Sequence, residues 1–255
     1  MNTPSNPKTV TACVVIIGNE ILSGRTQDIN LSHIANTLGS WGVQVHEARV
    51  IPDVRQTIVD TVNWARNQFD YVFTTGGIGP THDDITAECI AEAFGVPLIQ
   101  HPDIAARIQA HPAPEEVMTS RLLMARVPEG ASLVDNPTGG PQGFAMDNVY
   151  VMAGIPRVMQ AMLSTLEGVI EHGSVVSSVS VRAYLGESQI ATELGALQEQ
   201  SPDVDIGSYP FSKDGRYGTV LVVRGTDPAR LETVADAIRN LIIKAGETPE
   251  NVDPS

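Results

Sequence analysis

The sequence predicts an α/β fold, a three-layer sandwich whose mostly parallel sheet lies between two layers of helices, followed by a small α+β domain. The first observation is a set of short apolar runs without polar alternation, such as residues 11–17, which is typical of parallel strands buried on both faces. The second is that segments with apolar residues at helical spacing separate these runs. Strands and helices that alternate in this way build a parallel sheet through right-handed crossovers.

Three strands and three helices are expected in the first hundred residues. Strands are predicted at residues 11–17, 43–51 and 71–75. Helices are predicted from the apolar spacing of residues 31–38 and 58–65. Asp28 is placed to cap the first helix, because an aspartate side chain accepts hydrogen bonds from the free N–H groups of a first turn. A third helix is predicted to begin near Asp84.

The middle of the chain combines helix, loop and hairpin. Residues 101–126 have helical spacing that two prolines interrupt, and residues 136–141 are too rich in glycine and proline for regular structure. A hairpin is predicted over residues 144–152, with its turn at Asp147-Asn148. A last helix follows, because Pro156 is acceptable at a first helical position.

A second unit is expected over residues 175–245, after a first domain over residues 10–170. Its predicted order is βαββα, a small α+β domain. The strands are expected at residues 175–185, 204–209 and 219–224, and the helices at residues 190–197 and 231–242. The tail from Glu247 is expected to be frayed.

The charge balance excludes two classes of partner. The 255 residues hold 16 Lys and Arg against 30 Asp and Glu, a formal net charge of −14 at pH 7. Nucleic acid polymers and anionic membranes attract basic surfaces, so neither is expected as a partner. No apolar run approaches the roughly 20 residues that span a bilayer. A cytoplasmic location is expected, because residues 1–9 lack a secretory signal and two cysteines build no disulfide framework.

The sharpest functional feature is the glycine-rich segment of residues 74–84, which follows the third predicted strand. Ligands of open α/β sheets bind at the carboxyl ends of the strands. Gly76, Gly77 and Gly79 allow backbone N–H groups to converge on an anion, which suits a phosphate. Thr75 stands just before them.

Polar side chains end this segment. Asp83 and Asp84 would repel a bare phosphate, but with a divalent cation they become ligands that bridge to phosphate oxygens. Thr81 and His82 belong to the same segment, and His82 would contact phosphate or act as a base. The alternative is a tight turn in which Asp84 only caps the next helix.

A second loop begins with Gly18, Asn19 and Glu20 and leaves the carboxyl end of the first strand, so it should lie on the same sheet edge. Glu20 and Asp28 would add oxygen ligands for a metal or hold a ribose hydroxyl. Asn30 follows in the same run. The alternative for Asp28 is a helix cap alone.

Two further turns are expected to close over a ligand. One contains Pro137, and the other runs from Gly154 to Pro156. In the small domain, Gly-x-x-Gly at residues 215–218 resembles the clamp with which KH domains bind nucleic acid. A hairpin turn is the favoured interpretation, because this segment joins two strands in an acidic domain.

Four motifs, taken in order, resemble one family. They are GNEILSGRTQDIN from Gly18, TTGGIGPTHDD from Thr74, NPTGGPQGF from Asn136 and MAGIPRVM from Met152. Their order and spacing resemble the molybdopterin-binding-like (MoaB/Mog, MoCF) domain, most closely the version at the N-terminus of CinA proteins. The form of residues 80–84 and the strand at residues 148–150 also resemble the N-terminal half of eukaryotic FAD synthase. The sequence departs from the family at Ala153, where proline is common, and at residues 140–142.

The resemblance implies an activity. CinA-type domains are associated with metal-dependent pyrophosphatase activity on nucleoside diphosphate compounds such as ADP-ribose, and the FAD synthase domain with hydrolysis of FAD. It implies that Asp83 and Asp84 are catalytic and that, with Glu20, they hold Mg²⁺ or Co²⁺. The residues expected to bind the substrate are Gly18, Asn19, Glu20, Asp28, Asn30, Thr75, Gly76, Gly77, Gly79, Thr81, His82, Pro137, Gly154 and Pro156.

Two functions stay open at this point. The first is hydrolysis of a phosphorylated nucleotide, and the second is binding of molybdopterin, or its adenylylated form, without turnover. Relatives assemble as dimers or trimers, so a homodimer is expected. The amidase activity of CinA proteins and the FAD-forming activity of FAD synthase are not carried over, because the resemblance does not reach those domains.

Overall fold

A six-stranded sheet forms the centre of the unit made by residues 9–173. The structure, a computed structural model, describes residues 9–252. Residues 1–8, most of the segment in which no secretory signal is expected, lie outside the described part, as do residues 253–255. A second unit comprises residues 174–252.

The strands of the N-terminal unit are β1 (Val10–Ile17), β2 (Val43–Ile51), β3 (Tyr71–Thr75), β4 (Leu98–Gln100), β5 (Arg126–Pro128), β6 (Ser132–Val134), β7 (Gly143–Met146) and β8 (Val149–Met152). The large sheet has the order β2-β1-β3-β8-β7-β6, and β4 and β5 form a separate two-stranded sheet. The first four strands of that order pair in parallel, whereas β7 is antiparallel to both of its neighbours. The predicted mostly parallel sheet is therefore confirmed.

The helices of this unit are α1 (Asn19–Leu22), α2 (Asn30–Ser40), α3 (Arg55–Gln68), α4 (Thr86–Phe94), α5 (Pro102–Gln109), α6 (Glu115–Leu122) and α7 (Pro156–Ser164). Core residues of α3, α4 and α5 cover one face of the sheet, and those of α2 and α7 cover the other. This arrangement is the three-layer sandwich that the sequence predicts.

The central strand β1 shows why its sequence lacks alternation. Cys13 and Val15 belong to the core under α3 and α4, whereas Ala12 and Val14 belong to the core under α2 and α7, and all four are fully buried. Both faces of the strand need apolar side chains, since full burial of one valine is worth about 1.5–3 kcal/mol.

Two thiols lie in the core between the sheet and α4. Cys13 and Cys89 are unpaired and have no exposed surface. Burial raises the pKa of each thiol to about 11. Both side chains therefore stay protonated and act as small apolar residues near neutral pH.

The sequence left open whether Asp28 and Asp84 cap the helices that follow them. Asp28 accepts a hydrogen bond from the N–H of Leu31 at 2.9 Å, which is the expected capping contact for α2. The helix expected near Asp84 begins two residues later, at Thr86. Asp84 does not cap α4, because its carboxylate accepts hydrogen bonds from Thr81 instead.

The C-terminal unit is built from β9 (Ser177–Ala183), α8 (Ala191–Glu199), β10 (Asp205–Lys213), β11 (Arg216–Gly225), α9 (Pro228–Lys244) and β12 (Glu250–Val252). Its antiparallel sheet has the order β10-β11-β9-β12. The expected βαββα order is present. The expectation of a frayed tail from Glu247 was wrong, because residues 250–252 pair with β9 as a fourth strand.

The Gly-x-x-Gly segment of this unit is a hairpin turn, as expected. Residues 213 and 216 are paired at the end of β10 and β11. Asp214 and Gly215, between them, have φ angles of 52° and 75°, which is typical of a tight two-residue turn. The segment does not join two helices, as a KH clamp does.

The length and composition of the helices bear on membrane insertion. No helix within residues 9–252 is both long enough and apolar enough to cross a bilayer.

Asn148 ties the β7–β8 hairpin to the end of α3. Its Nδ2 group donates hydrogen bonds to the carbonyls of Arg66 at 3.0 Å and Phe69 at 3.1 Å. We expect Asn148→Ala to lower the free energy of unfolding by about 1–3 kcal/mol, because two partly buried acceptors lose their donor. Urea unfolding measures this change.

Asn67→Ala is the matched control. Asn67 lies on α3, to whose end Asn148 binds, and it also donates to a carbonyl, that of Asn63 at 2.6 Å, but it is exposed to solvent. Its replacement should change stability by less than about 0.5 kcal/mol, as is usual at surface sites. Equal effects of the two substitutions would contradict the role given to Asn148.

Candidate functional site

A cavity of about 590 Å³ opens at the carboxyl ends of the parallel strands. Its walls come from the loops that follow β1, β3, β6 and β8. The sequence-predicted residues that line it are Glu20, Gly76, Gly77, Gly79, Asp84, Gly154 and Pro156. The loops expected to share one edge of the sheet are therefore brought together, as the topology of parallel strands requires.

Two glycines shape the floor of the cavity. Gly76 has a φ of +105°, and a Cβ atom there would lie 2.1 Å from the carbonyl oxygen of Ile17. Gly77 has a φ of +69°, and its Cβ would lie 2.1 Å from Oγ1 of Thr86. Both positions thus combine a left-handed backbone with a contact that leaves no room for a side chain.

Hydrogen bonds from the start of α4 fix the shape of the glycine-rich loop after β3. Thr86, the first residue of α4, donates from Oγ1 to the carbonyl of Gly76 and from its N–H to the carbonyl of Gly77, both at 3.0 Å. Within residues 9–252, no acceptor is bonded to the N–H groups of Gly77, Ile78 and Gly79. Consecutive N–H groups without acceptors are available to hydrogen-bond an anion.

Thr81 holds the two aspartates of the segment. Its N–H and hydroxyl both lie within hydrogen-bond distance of Oδ2 of Asp84, at 2.8 and 2.6 Å. The same hydroxyl lies 2.6 Å from Oδ1 of Asp83. The hydrogen bond from the Thr81 hydroxyl lowers the pKa of Asp83 below the usual range, and a hydrogen bond from the backbone of Asp83 itself lowers it further. Asp83 is therefore ionised well below neutral pH.

The described residues contain no group of three His, Cys, Asp or Glu side chains that could hold a metal ion. Glu20 lines the cavity, but it does not join Asp83 and Asp84 in a ready-made cage. Asp84 lines the cavity, whereas Asp83 is exposed and is not among its lining residues, and the Thr81 hydroxyl lies between the two carboxylates. One or two carboxylates together with substrate phosphates are the usual ligands of Mg²⁺ in proteins, and this pair offers that donor set. A cation between them also relieves the repulsion of two carboxylates that converge on one hydroxyl.

Asn30 and Thr75 lie behind the cavity wall. Both are almost fully buried. Nδ2 of Asn30 donates to the carbonyl of Gly154 at 2.9 Å and lies 3.1 Å from Oγ1 of Thr75, and that hydroxyl donates to the carbonyl of Ala153 at 2.9 Å. The structure gives this pair a positioning role, since it fixes the loop that carries Gly154.

The remaining sequence-predicted residues lie outside the main cavity. Gly18 is buried and donates to the carbonyl of Ile51 at the end of β2, and the N–H of Asn19 is held by Asp53. Asp28 serves as the cap of α2 described above. Thr81 and His82 line a smaller neighbouring cavity on the other side of Asp84. Pro137 is exposed.

Asn136 organises one wall of the cavity, although it is not among the residues predicted from the sequence. It is 1% exposed, and its Nδ2 donates to the carbonyl of Pro141 at 2.8 Å. Its Oδ1 accepts hydrogen bonds from the N–H and the hydroxyl of Thr138. Asn-Pro-Thr is a typical start of a turn stabilised by its own asparagine, and this was the available signal.

Fold and site together define an α/β protein that presents free backbone N–H groups and two carboxylates at one sheet edge. The model of the family described as "Probable molybdopterin binding domain" matches residues 13–172. The chain therefore belongs to this family. The model of "FAD synthase, middle domain" matches residues 175–249.

Several relatives share most of the chain. It is 34% identical over 197 residues to a protein of Archaeoglobus fulgidus, which covers 77% of this chain and 84% of that protein. It is 32% identical over 242 residues to a CinA-like protein of Salinibacter ruber, covering 89% of this chain and 59% of the relative. The chain thus spans little more than half of that CinA-like protein.

A solved structure is also similar. The protein CinA from Thermoplasma acidophilum, described as having unknown function, is 34% identical with a TM-score of 0.56, and the match covers 62% of this chain and 97% of that one. The resemblance to CinA-type molybdopterin-binding-like domains that the motifs indicated is confirmed.

Gly77→Ala tests the crowding at the cavity floor. We expect it to destabilise the N-terminal unit by more than the roughly 1 kcal/mol of a left-handed alanine, because the new methyl group would displace Thr86. Gly95→Ala is the control: Gly95 has a φ of +67°, but the space that a methyl group would occupy there is open. Urea unfolding of both variants measures the difference, and equal losses would contradict the crowding argument.

Thr81→Val tests the hydrogen bond that lowers the pKa of Asp83. The variant keeps the shape of the side chain but lacks the hydroxyl, so the pKa of Asp83 should rise toward its usual range. The titration of carboxyl carbon signals by NMR measures this pKa directly. An unchanged pKa would show that the backbone hydrogen bond alone is responsible.

Proposed function

We propose that the N-terminal unit hydrolyses a nucleoside diphosphate compound, of the ADP-ribose or FAD type, with the help of a divalent cation. The observation that carries this proposal is the floor of the cavity, where, within residues 9–252, the N–H groups of Gly77, Ile78 and Gly79 lack acceptors beside the carboxylate of Asp84. A diphosphate offers oxygens for the N–H groups and, through a cation, for the carboxylate.

The charges of the lining support a cation-dependent reaction. Glu20 and Asp84 line the cavity, and among the described residues no Lys or Arg does so. A diphosphate would therefore meet carboxylates without a balancing side chain. A divalent cation such as Mg²⁺ or Co²⁺, held by Asp83 and Asp84 and by phosphate oxygens, would neutralise the diphosphate and polarise its phosphorus–oxygen bonds.

The chain's own residues bind and orient the substrate. The free N–H groups of residues 77–79 hold the oxygens of one phosphate, where negative charge increases as water attacks. Thr81 occupies Oδ2 of Asp84, and within the described residues nothing donates to Oδ1, which is left for a ligand. Water adds to one phosphorus, the bond from that phosphorus to the bridging oxygen breaks, and two monophosphates leave, with two protons released when both are dianions.

The cavity has room and apolar surface for the rest of a nucleotide. Ile78, Ile155, Val158, Met124 and Met162 line it together with the glycine loop. Flat rings of a base or a flavin bind well to walls of this kind, where a few polar groups fix the orientation. We also propose a cytoplasmic location, which the unpaired cysteines support, and a homodimer, which the family resemblance implies.

A second candidate is binding of molybdopterin without turnover. The family description favours it, and the same apolar walls and N–H groups suit a pterin that carries a phosphate. Calorimetry with a pterin phosphate, and mass analysis of ADP-ribose or FAD incubated with the protein and Mg²⁺, distinguish the two. Tight pterin binding without nucleotide products would favour the second candidate.

Asp84→Asn tests the hydrolytic function. We expect loss of activity by a factor of about 100 or more, since the carboxylate charge on the cation is removed while its shape is kept. The products from ADP-ribose and FAD are measured by mass with Mg²⁺, with Co²⁺ and with a chelator. Asp60→Asn, on the exposed face of α3, is the matched control and should retain full activity.

The melting profile separates chemistry from folding in this experiment. Asp84→Asn should melt close to the unaltered protein, because Asp84 is only half-buried and lies in a loop. Full activity of a folded Asp84→Asn protein, or activity that persists in excess chelator, would refute the proposed reaction.

A further inference from the structure

A second cavity lies against the first one. It has a volume of about 330 Å³. The two cavities share a wall made by Met124, Gly140 and Pro141. Gly140 and Pro141 belong to the loop after β6, whose shape Asn136 fixes. A ligand arm that passes this loop would leave the main cavity and enter the second one.

The two cavities have opposite charges. Arg107, Arg121 and His111 line the second cavity, and none of its lining residues in the described part of the chain is acidic. Of the described residues, Glu20 and Asp84 line the main cavity and no basic residue does. An anion in the main cavity therefore needs a cation, whereas an anion in the second cavity meets positive charge directly.

The two arginines retain binding capacity. Arg107 donates to Oδ1 of Asp135 at 3.1 Å and to the carbonyl of Asn136 at 3.2 Å, which orients its guanidinium group. Arg121 makes one long hydrogen bond, 3.4 Å to the carbonyl of His111, and has no ion pair within residues 9–252. Most of its five donor positions are free.

Helix stability alone does not account for this arrangement. Arg107 and Arg121 lie in the last turns of α5 and α6, where a positive charge stabilises a helix end. That effect accounts for the presence of one arginine at the end of each helix. It gives no reason for two arginines of different helices to line one cavity beside the candidate site.

We propose that the second cavity binds a phosphomonoester group of the substrate. Guanidinium groups match the geometry of phosphate oxygens and bind them through several charged hydrogen bonds. The inference rests on the proposed function and specifies its substrate: a nucleoside diphosphate compound whose diphosphate lies on the glycine loop and whose additional phosphate lies between Arg107 and Arg121.

Two ligands that differ by one phosphate test this inference. The dissociation constants of ADP-ribose and of ADP-ribose 2′-phosphate are measured by calorimetry, with Ca²⁺ in place of Mg²⁺ to slow turnover. We expect the additional phosphate to tighten binding about tenfold, the effect of one or two charged hydrogen bonds. Arg121→Gln should abolish this gain and leave the affinity for ADP-ribose unchanged, and Arg121→Lys should keep part of it.

Arg157→Gln is the matched control. Arg157 is an exposed arginine at the start of α7, next to the main cavity, and it does not line the second one. Its replacement removes the same charge and should retain the tenfold gain. Equal affinities of the unaltered protein for the two ligands would overturn the proposal, as would an equal loss of the gain in Arg121→Gln and Arg157→Gln.

Inorganic phosphate separates this inference from the proposed function. It should shift the NMR signals of the Arg107 and Arg121 side chains in the unaltered protein. If these signals shift and neither nucleotide binds, the anion subsite stands and the proposed function fails. If both nucleotides bind equally, the subsite for a substrate phosphate fails and the proposed function stands. If phosphate shifts these signals and the two nucleotides bind with equal affinity, the cavity is a separate anion site, and the proposal is overturned.

Discussion

The close approach of the Gly76 backbone to the end of β1 is the constraint on which the candidate site depends. A methyl group on Gly76 would lie 2.1 Å from the carbonyl oxygen of Ile17, and one on Gly154 would lie 3.3 Å from Cα of Gly76. The ends of β1, β3 and β8 thus meet through main-chain atoms. Because side chains are excluded from this junction, the floor of the cavity offers N–H groups, and the polar side chains stand around its rim.

The net negative charge of the chain is unevenly distributed around the rim of the cavity. The net charge of −14 argues against a polymeric anion, but it does not describe the distribution of charge around the cavity. Carboxylates of Glu20 and Asp84 line one compartment and the guanidinium groups of Arg107 and Arg121 line the next. This distribution supports the proposed ligand, an anion that is neutralised partly by a cation and partly by arginine.

Much of the fold follows from patterns within single segments, and much of the site does not. The run at residues 11–17 identified a central strand, and the glycines at 76–79 identified the cavity floor, because burial and backbone shape act locally. The strand Glu250–Val252 has no apolar pattern and forms through pairing with β9. Asn30 was predicted as a ligand-binding residue from its local motif, but its hydrogen bonds to Thr75 and to the carbonyl of Gly154 reach 45 and 124 positions along the chain, so its positioning role has no local signal. The second cavity likewise joins two helices and a distant loop, so no local pattern indicates it.

The two buried thiols have a practical consequence. Cys13 is in the central strand and Cys89 is on a helix that covers it, and both are inaccessible in the folded unit. A thiol reagent can reach either residue only when the surrounding structure opens. The rate of labelling at each cysteine thus reports how often the strand and the helix separate, and the chain carries this pair of internal probes without any substitution.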